Sequence, residues 1–259
     1  MITSFTSKLF CQPRLLSLLV AGILALPAVA GKPNVLFIIT DDQSYEAIGE
    51  FGLVDIETPN LDRLVKQGTT FTHAYNMGAW NGAVCIASRT MLVTGRSLYD
   101  AGDFEPQLRD NFEDSWPRLM KAAGYRTYFA GKWHVKANLD DLFDEVRNPR
   151  GGMPQTIGGY NRPVEGGFDT WDPADPALHG FWRGGKHWSE VTADDAVESL
   201  EAAAEQEGPF FMYIGFSAPH DPRQAPQEYL DRYPLERIKT PETYQPLYPY
   251  LDEIGVGKR

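Results

Sequence analysis

Seven residues in this chain carry side chains able to do chemistry together, and three of the positions they occupy directly follow apolar runs. Adjacent Asp41 and Asp42 offer two carboxylates, the oxygen ligands that a hard cation such as Ca²⁺ or Mg²⁺ prefers. Taken alone, the same pair is equally a solvated acidic turn. Lys132 and His134 stand two apart behind Gly131, a spacing that points both side chains the same way in an extended segment. His220 lies between Pro219 and Pro222, whose rings restrict the backbone on either side of it. An amine, two imidazoles and two acids suit an anionic substrate held against a metal, with imidazole moving the proton. Cys85 precedes an expected helix over Ser88–Thr94, so its side chain could face free N–H groups and the positive end of the helix dipole. Arg89 adds a fixed planar cation four residues on. As an ordinary nucleophile Cys85 would need a histidine base, for which His134 or His220 could serve. Zinc is the weaker fit, because one cysteine and scattered histidines lack the usual paired spacing.

The elements that must position these groups follow from hydrophobic pattern. Asn34–Thr40 (NVLFIIT) is a continuous apolar run ending at Asp41, as expected of a strand buried on both faces of a parallel sheet. Thr58-Pro59 marks a helix start, with Thr58 as N-cap and Gly68 as the stop, and Thr69–Thr72 reads as a short strand. A helix is expected over Trp116–Ala123 and a strand over Tyr125–Ala130. A further helix is capped by Thr192 and runs through Gln206, and Phe210–Phe216 (FFMYIGF) forms another buried strand. Strands alternating with helices predict an α/β fold with a mostly parallel central sheet flanked by helices. Ligands of such sheets sit outside the carboxyl ends of the strands. That is where Asp41-Asp42, Lys132 with His134, and His220 fall. From Asn148 to Trp188 the chain is rich in Gly, Pro and aromatics without a period, which reads as long ordered loops. Trp182, Lys186 and His187 in this stretch could form a sugar-stacking surface or simply pack the loops.

Composition narrows the partners. The chain has 259 residues, a net charge of −11, and 42% hydrophobic residues, which is globular and argues against nucleic acid as a partner. Residues 1–30 have the anatomy of a secretory signal peptide. Lys8 and Arg14 precede an apolar stretch over Leu15–Leu26, and small residues end at Ala30. Export to the periplasm or the medium is expected, with no membrane contact after cleavage. Cys11 leaves with that leader, so Cys85 stands alone in an oxidising compartment. Such a thiol is buried and inert, paired with another molecule, or chemically used.

The run Cys85-Ile86-Ala87-Ser88-Arg89-Thr90-Met91-Leu92-Val93-Thr94-Gly95-Arg96 resembles the signature of the type I sulfatases of the alkaline phosphatase superfamily, C-x-[P/A]-S-R-x-x-x-x-T-G-R. NVLFIITDDQ, TPNLDRLVKQG, GYRTYFAGKWH and APHDPRQAP agree with that family in order, and the last is spelled most like its bacterial iduronate-2-sulfatase-like branch. The resemblance implies a sulfuric ester hydrolase acting on sulfate monoesters, with a carbohydrate sulfate as the substrate class. It implies that a formylglycine-generating maturation enzyme oxidises Cys85 to formylglycine, whose hydrate supplies the attacking oxygen. Asp41, Asp42 and residue 85 would ligate one Ca²⁺, and Arg89 would steady the hydrate. Lys132 and His220 would bind sulfate oxygens, with one of them helping the alcohol to leave, while His134 would drive sulfate elimination. Ala87 stands where proline is commonest in the motif, which leaves the maturation system open.

The family also places an Asp-Asn or Asp-His pair downstream of APHDP to complete the metal shell, and nothing after His220 fits. Asp110-Asn111 lies upstream and follows no apolar run. Residues 31–259 are therefore expected to be the N-terminal part of a sulfatase catalytic domain, incomplete at its C-terminal end. Two alternatives share the fold, namely a phosphodiester or phosphonate hydrolase of the same superfamily and a non-catalytic truncated fragment.

Overall fold

The computed structural model describes residues 31–156 and 169–240, together with 242, 244, 245, 249 and 250. The leader anticipated over residues 1–30 lies outside the described residues, as does part of the aromatic loop region. Four strands form one sheet: β1 (Val35–Ile39), β2 (Arg126–Lys132), β3 (Glu145–Arg150) and β4 (Phe210–Gly215). Their order is β1-β4-β2-β3, and every pairing is parallel. Among the described residues, seven α-helices accompany them: α1 (Pro59–Gln67), α2 (Val84–Thr94), α3 (Leu98–Phe104), α4 (Trp116–Ala122), α5 (Leu139–Leu142), α6 (Trp188–Ala204) and α7 (Gln227–Leu230). Among the described residues, no helix is long and apolar enough to cross a membrane.

The strands divide their side chains between two cores, as the two-residue period of a pleated strand requires. On one face Phe129, Phe211 and Tyr213 pack with Val93 of α2 and Trp116 of α4. Trp116 meets Phe37 at 5.0 Å between ring centroids, nearly edge to face. On the other face Tyr128, Ala130, Met212 and Ile214 pack against Ala196, Leu200 and Ala203 of α6. Helices thus flank both faces, as expected of an α/β fold. The central strands β2 and β4 are almost wholly buried. In β1, by contrast, Leu36 and Ile38 remain 46% and 54% exposed, and β4 is its one neighbour among the described strands.

Several expectations are corrected. The Thr69–Thr72 segment is exposed and forms no strand. Thr58 precedes α1, but its hydroxyl bonds the Asp62 carboxylate at 2.7 Å instead of capping a backbone N–H. Thr192 does not cap a helix, because it is buried inside α6, which starts at Trp188 behind His187 as its N-cap. The loop region expected from Asn148 overlaps the end of β3, a strand that the charged, proline-containing run EVRNPR does not advertise.

The carboxyl ends of β2 and β4 converge through two glycines. Gly131 has φ +91°, and a Cβ there would lie 2.1 Å from the Gly215 carbonyl oxygen; a Cβ on Gly215 would lie 2.3 Å from that of Lys132. Both contacts are to backbone, which has no flexible end to yield, so Gly215→Ala must push the strands apart. We expect that variant to lose roughly 3 kcal/mol of stability or more in urea unfolding, at the upper end of overpacking costs. A variant as stable as the parent would show that the two strand ends can separate freely.

Candidate active site

Every residue singled out for chemistry lies at or just beyond the carboxyl end of a strand, or in the first half of α2. The ends of β1 and β4 are tied together, with Phe216 N donating to Ile39 O at 2.8 Å and Asp41 N donating to Ala218 O at 3.3 Å. This tie brings Asp41 and Asp42 beside the segment that carries His220. Asp42 and His134 both take left-handed backbone conformations, with φ 62° and 57°. Non-glycine residues rarely do so, and such strain concentrates at functional sites. His134 therefore does not continue β2 in the extended form read from its spacing to Lys132. A left-handed turn after the strand aims it instead, and its ring lies so close to Gly152 that a Cβ there would come within 2.9 Å of Nε2.

The centre of the site is a buried charge cluster. Asp41, Arg89 and Lys132 are only 4%, 1% and 1% exposed. Lys132 forms an ion pair with Asp41 Oδ2, and Arg89 Nη2 stands 3.9 Å from the same oxygen. Arg89 Nη1 donates to Lys132 O at 2.9 Å and reaches the Tyr213 hydroxyl at 3.5 Å. Burial alone would raise the Asp41 pKa, but the hydrogen bond and charge of Lys132 and the charge of Arg89 together hold it below the ordinary aspartate value. Arg89 Nη2 and His134 Nδ1 are buried with no hydrogen-bond partner among the described residues. Buried polar groups left in that state need an explanation. Burial and the charges of Lys132 and Arg89 lower the His134 pKa, so the imidazole is neutral at pH 7.

Cys85 is the second residue of α2 rather than a residue ahead of the helix. Its sulfur lies 3.8 Å from Asp42 Oδ1. Burial first, and then the charge and hydrogen bond of Asp41, push the thiol up to about 11. Burial and the two carboxylates thus set the environment of the sulfur, with the charge of Lys132 acting the other way. His220 Nε2 lies 3.5 Å from Asp42 Oδ2. Asp110 and Asn111 sit in a separate turn after α3. Sequence reasoning missed the supporting partners: Tyr213 beneath Arg89 and Gly152 against His134. Tyr213 sits in an apolar strand whose spelling signals only burial, and a glycine's role as clearance for a distant ring has no local signature.

The loop residues offered for sugar contact divide differently. Trp182 is nearly buried, with its indole N–H donating to Pro173 O at 3.0 Å. Lys186 pairs with Asp194. His187 is buried; Ser189 N donates to its Nδ1 at 3.2 Å, and its Nε2–H donates to Gln224 O at 3.2 Å. Burial lowers its pKa from the ordinary 6.5. The unfolded chain therefore binds this proton more readily, so the contribution to stability is complete above about pH 6.5 and declines as pH falls toward the folded pKa. We expect His187→Gln to flatten that acid-side slope in thermal melts below about pH 6.5, the ordinary histidine pKa. An unchanged slope would assign the slope to other groups.

With the geometry in view, comparison with known proteins gives the family. The sulfatase family model matches residues 33–255. An N-acetylglucosamine-6-O-sulfatase of Bacteroides thetaiotaomicron is 30% identical over 196 residues, covering 73% of this chain and 31% of that protein. An arylsulfatase of Klebsiella aerogenes is 32% identical over 234 residues, covering 78% of this chain and 46% of that protein. Among solved structures, Ps i-CgsB in complex with k-i-k-neocarrahexaose aligns with a TM-score of 0.59 at 25% identity, over 81% of this chain and 49% of that one. The chain thus spans less than half the length of each of these relatives. The signature beginning at Cys85, the parallel sheet and the family match agree, and the chain belongs to the sulfatase family.

Proposed function

We propose that the protein hydrolyses sulfate monoesters, with a sulfated carbohydrate as the substrate class. One observation carries this reading. The signature residues converge on a buried pair of cations, Arg89 and Lys132, beside two polar atoms without a hydrogen-bond partner among the described residues, Arg89 Nη2 and His134 Nδ1. Such a site is built for an anion with several oxygens. Membership in the sulfatase family supports sulfate as that anion. The carbohydrate class is supported by a relative named for N-acetylglucosamine-6-O-sulfate and by a structural neighbour bound to neocarrahexaose.

In this reading Asp41, Asp42 and an oxygen on residue 85 hold a Ca²⁺ ion. The fit rests on two adjacent carboxylates at one strand end, one of them buried, facing the side chain of residue 85. When bound, the ion supplies charge neutralisation for a sulfate oxygen and for the attacking oxygen. Formylglycine, made from Cys85 by a maturation enzyme, carries that attacking oxygen. Arg89, held in place by Lys132 O, donates to the oxygen on residue 85 and fixes its direction. Lys132 presents its ammonium to a sulfate oxygen. His134, neutral at pH 7, accepts a proton from residue 85. His220 delivers a proton to the leaving alcohol from Nε2. The protein is exported, and the leader is removed.

The test is hydrolysis by protein produced together with a formylglycine-generating enzyme, comparing 4-nitrophenyl sulfate, a 6-O-sulfated N-acetylglucosamine and an aryl phosphate diester. We expect the sulfate esters to be cleaved faster and a calcium chelator to lower the rate. Preference for the diester would overturn the sulfatase reading in favour of a phosphodiesterase. Equal neglect of all three would overturn catalysis by this chain.

A further inference from the structure

The site holds a second metal-binding possibility that belongs to the unconverted chain. One ligand atom each from Asp41, Cys85 and His220 lies within 4.8 Å of the others. Asp42 joins them, with Oδ1 3.8 Å from the Cys85 sulfur and Oδ2 3.5 Å from His220 Nε2. Four donors around zinc, at about 2.0–2.3 Å each, stand roughly 3.3–3.7 Å apart in a tetrahedron. The observed separations need only small side-chain adjustments to reach it. Because these ligands come from the ends of two strands and from a helix, they lack the paired Cys and His spacing by which zinc sites are read from sequence.

A second observation points the same way. His220 Nδ1 lies 2.9 Å from the Asp221 carbonyl oxygen. A carbonyl can only accept, so Nδ1 carries a proton and Nε2 is the nitrogen that turns toward Asp42 and Cys85. Zinc-ligating histidines are characteristically oriented in this way, with the second ring nitrogen donating to a backbone carbonyl or a carboxylate. Lys132 engages Oδ2 of Asp41, which leaves Oδ1 for an ion. The Asp42 side chain is 50% exposed and gives an ion a path in.

We propose that the thiol form of the protein binds one zinc ion through Cys85 Sγ, His220 Nε2 and the carboxylates of Asp41 and Asp42. Sulfur and imidazole favour zinc and cobalt over calcium and magnesium, whose preference is for oxygen. The ligand set requires the sulfur of Cys85, so the site belongs only to chains that keep the thiol. The inference stands apart from the sulfatase reading, which concerns the converted residue.

The test uses the full chain produced without a formylglycine-generating enzyme and stripped of metal. Titration with Co²⁺ is expected to give the near-ultraviolet charge-transfer band of a cobalt–thiolate bond and the intense visible bands of tetrahedral cobalt. One equivalent of Zn²⁺ should abolish both, and excess Ca²⁺ should not. In competition with a chromophoric chelator, Cys85→Ser and His220→Ala should each weaken zinc binding more than about 100-fold, beyond the 10- to 100-fold typical of losing an outer-shell partner. The absence of a thiolate band in the parent protein would overturn the proposal whether or not the variants fold. So would zinc affinity unchanged in Cys85→Ser, which would place the ion on surface carboxylates. Neither result bears on hydrolysis by the converted protein.

Discussion

Replacing Cys85 by alanine is expected to lower sulfate ester hydrolysis by at least about 10³-fold, the scale of loss when a nucleophile is removed from a preorganised site. The fold should survive, because the sulfur makes only weak polar contacts, such as the long 3.8 Å approach to Asp42. The parent protein produced without conversion should be equally inactive. Its thiol is pushed up to about 11 by burial and by the Asp41 and Asp42 carboxylates. At neutral pH the sulfur therefore stays protonated and cannot act as a thiolate nucleophile. The two preparations separate mechanisms that a single mutant leaves together. Activity in unconverted protein but not in Cys85→Ala would mean direct attack by sulfur, and equal rates in all three preparations would remove residue 85 from the chemistry.

Asp41→Asn is the substitution expected to cost most in stability. Asp41 is the carboxylate that both Lys132 and Arg89 face, and all three groups are almost inaccessible to water. Removing one partner of a buried ion pair leaves a charge with neither water nor a counterion, and the typical penalty is about 3–5 kcal/mol. Here two cations lose their common counterion, so the upper end of that range applies. Urea unfolding with circular dichroism would measure it. A loss below about 1 kcal/mol, the level of a surface ion pair, would mean that water reaches the cluster. Hydrolysis should fall as well, since the orientation of Lys132 and the proposed calcium site both depend on this carboxylate.

Much of this site is legible in the sequence because each chemical group follows a run that could only be a buried strand. NVLFIIT and FFMYIGF announce β1 and β4, and the rule that ligands gather at carboxyl ends does the rest for Asp41, Asp42 and His220. The signature at Cys85 carried the family. What stayed hidden has physical reasons. Among the described strands EVRNPR pairs with β2 alone, at the far side of the sheet, and its half-buried positions impose no apolar pattern. The true start of α6 depends on a histidine ring standing in for the usual hydroxyl or carboxylate cap, which propensity ranks poorly. The left-handed turn at His134, whose ring lies against Gly152, is not revealed by any two-residue spacing. The suppression of thiol acidity at Cys85 likewise arises from burial and from carboxylates 43 and 44 positions away.

β1 has a consequence for how the protein behaves in bulk. Its VLFII strand is among the most apolar segments described, yet among the described strands it runs along a rim of the sheet with Leu36 and Ile38 open to solvent. An open rim of this kind is a template on which a second chain can lay its own strand. The net charge of −11 opposes that encounter by mutual repulsion between molecules. Repulsion of this range fades as electrolyte shortens the screening distance from about 30 Å at 0.01 M to about 10 Å at 0.1 M. Colloidal stability and ionic strength are therefore coupled through one strand. Dilute buffer is expected to favour dispersed molecules and added salt to promote strand-to-strand association, which light scattering against ionic strength would check. A lysine at position 36 or 38 would loosen that coupling by interrupting the apolar rim.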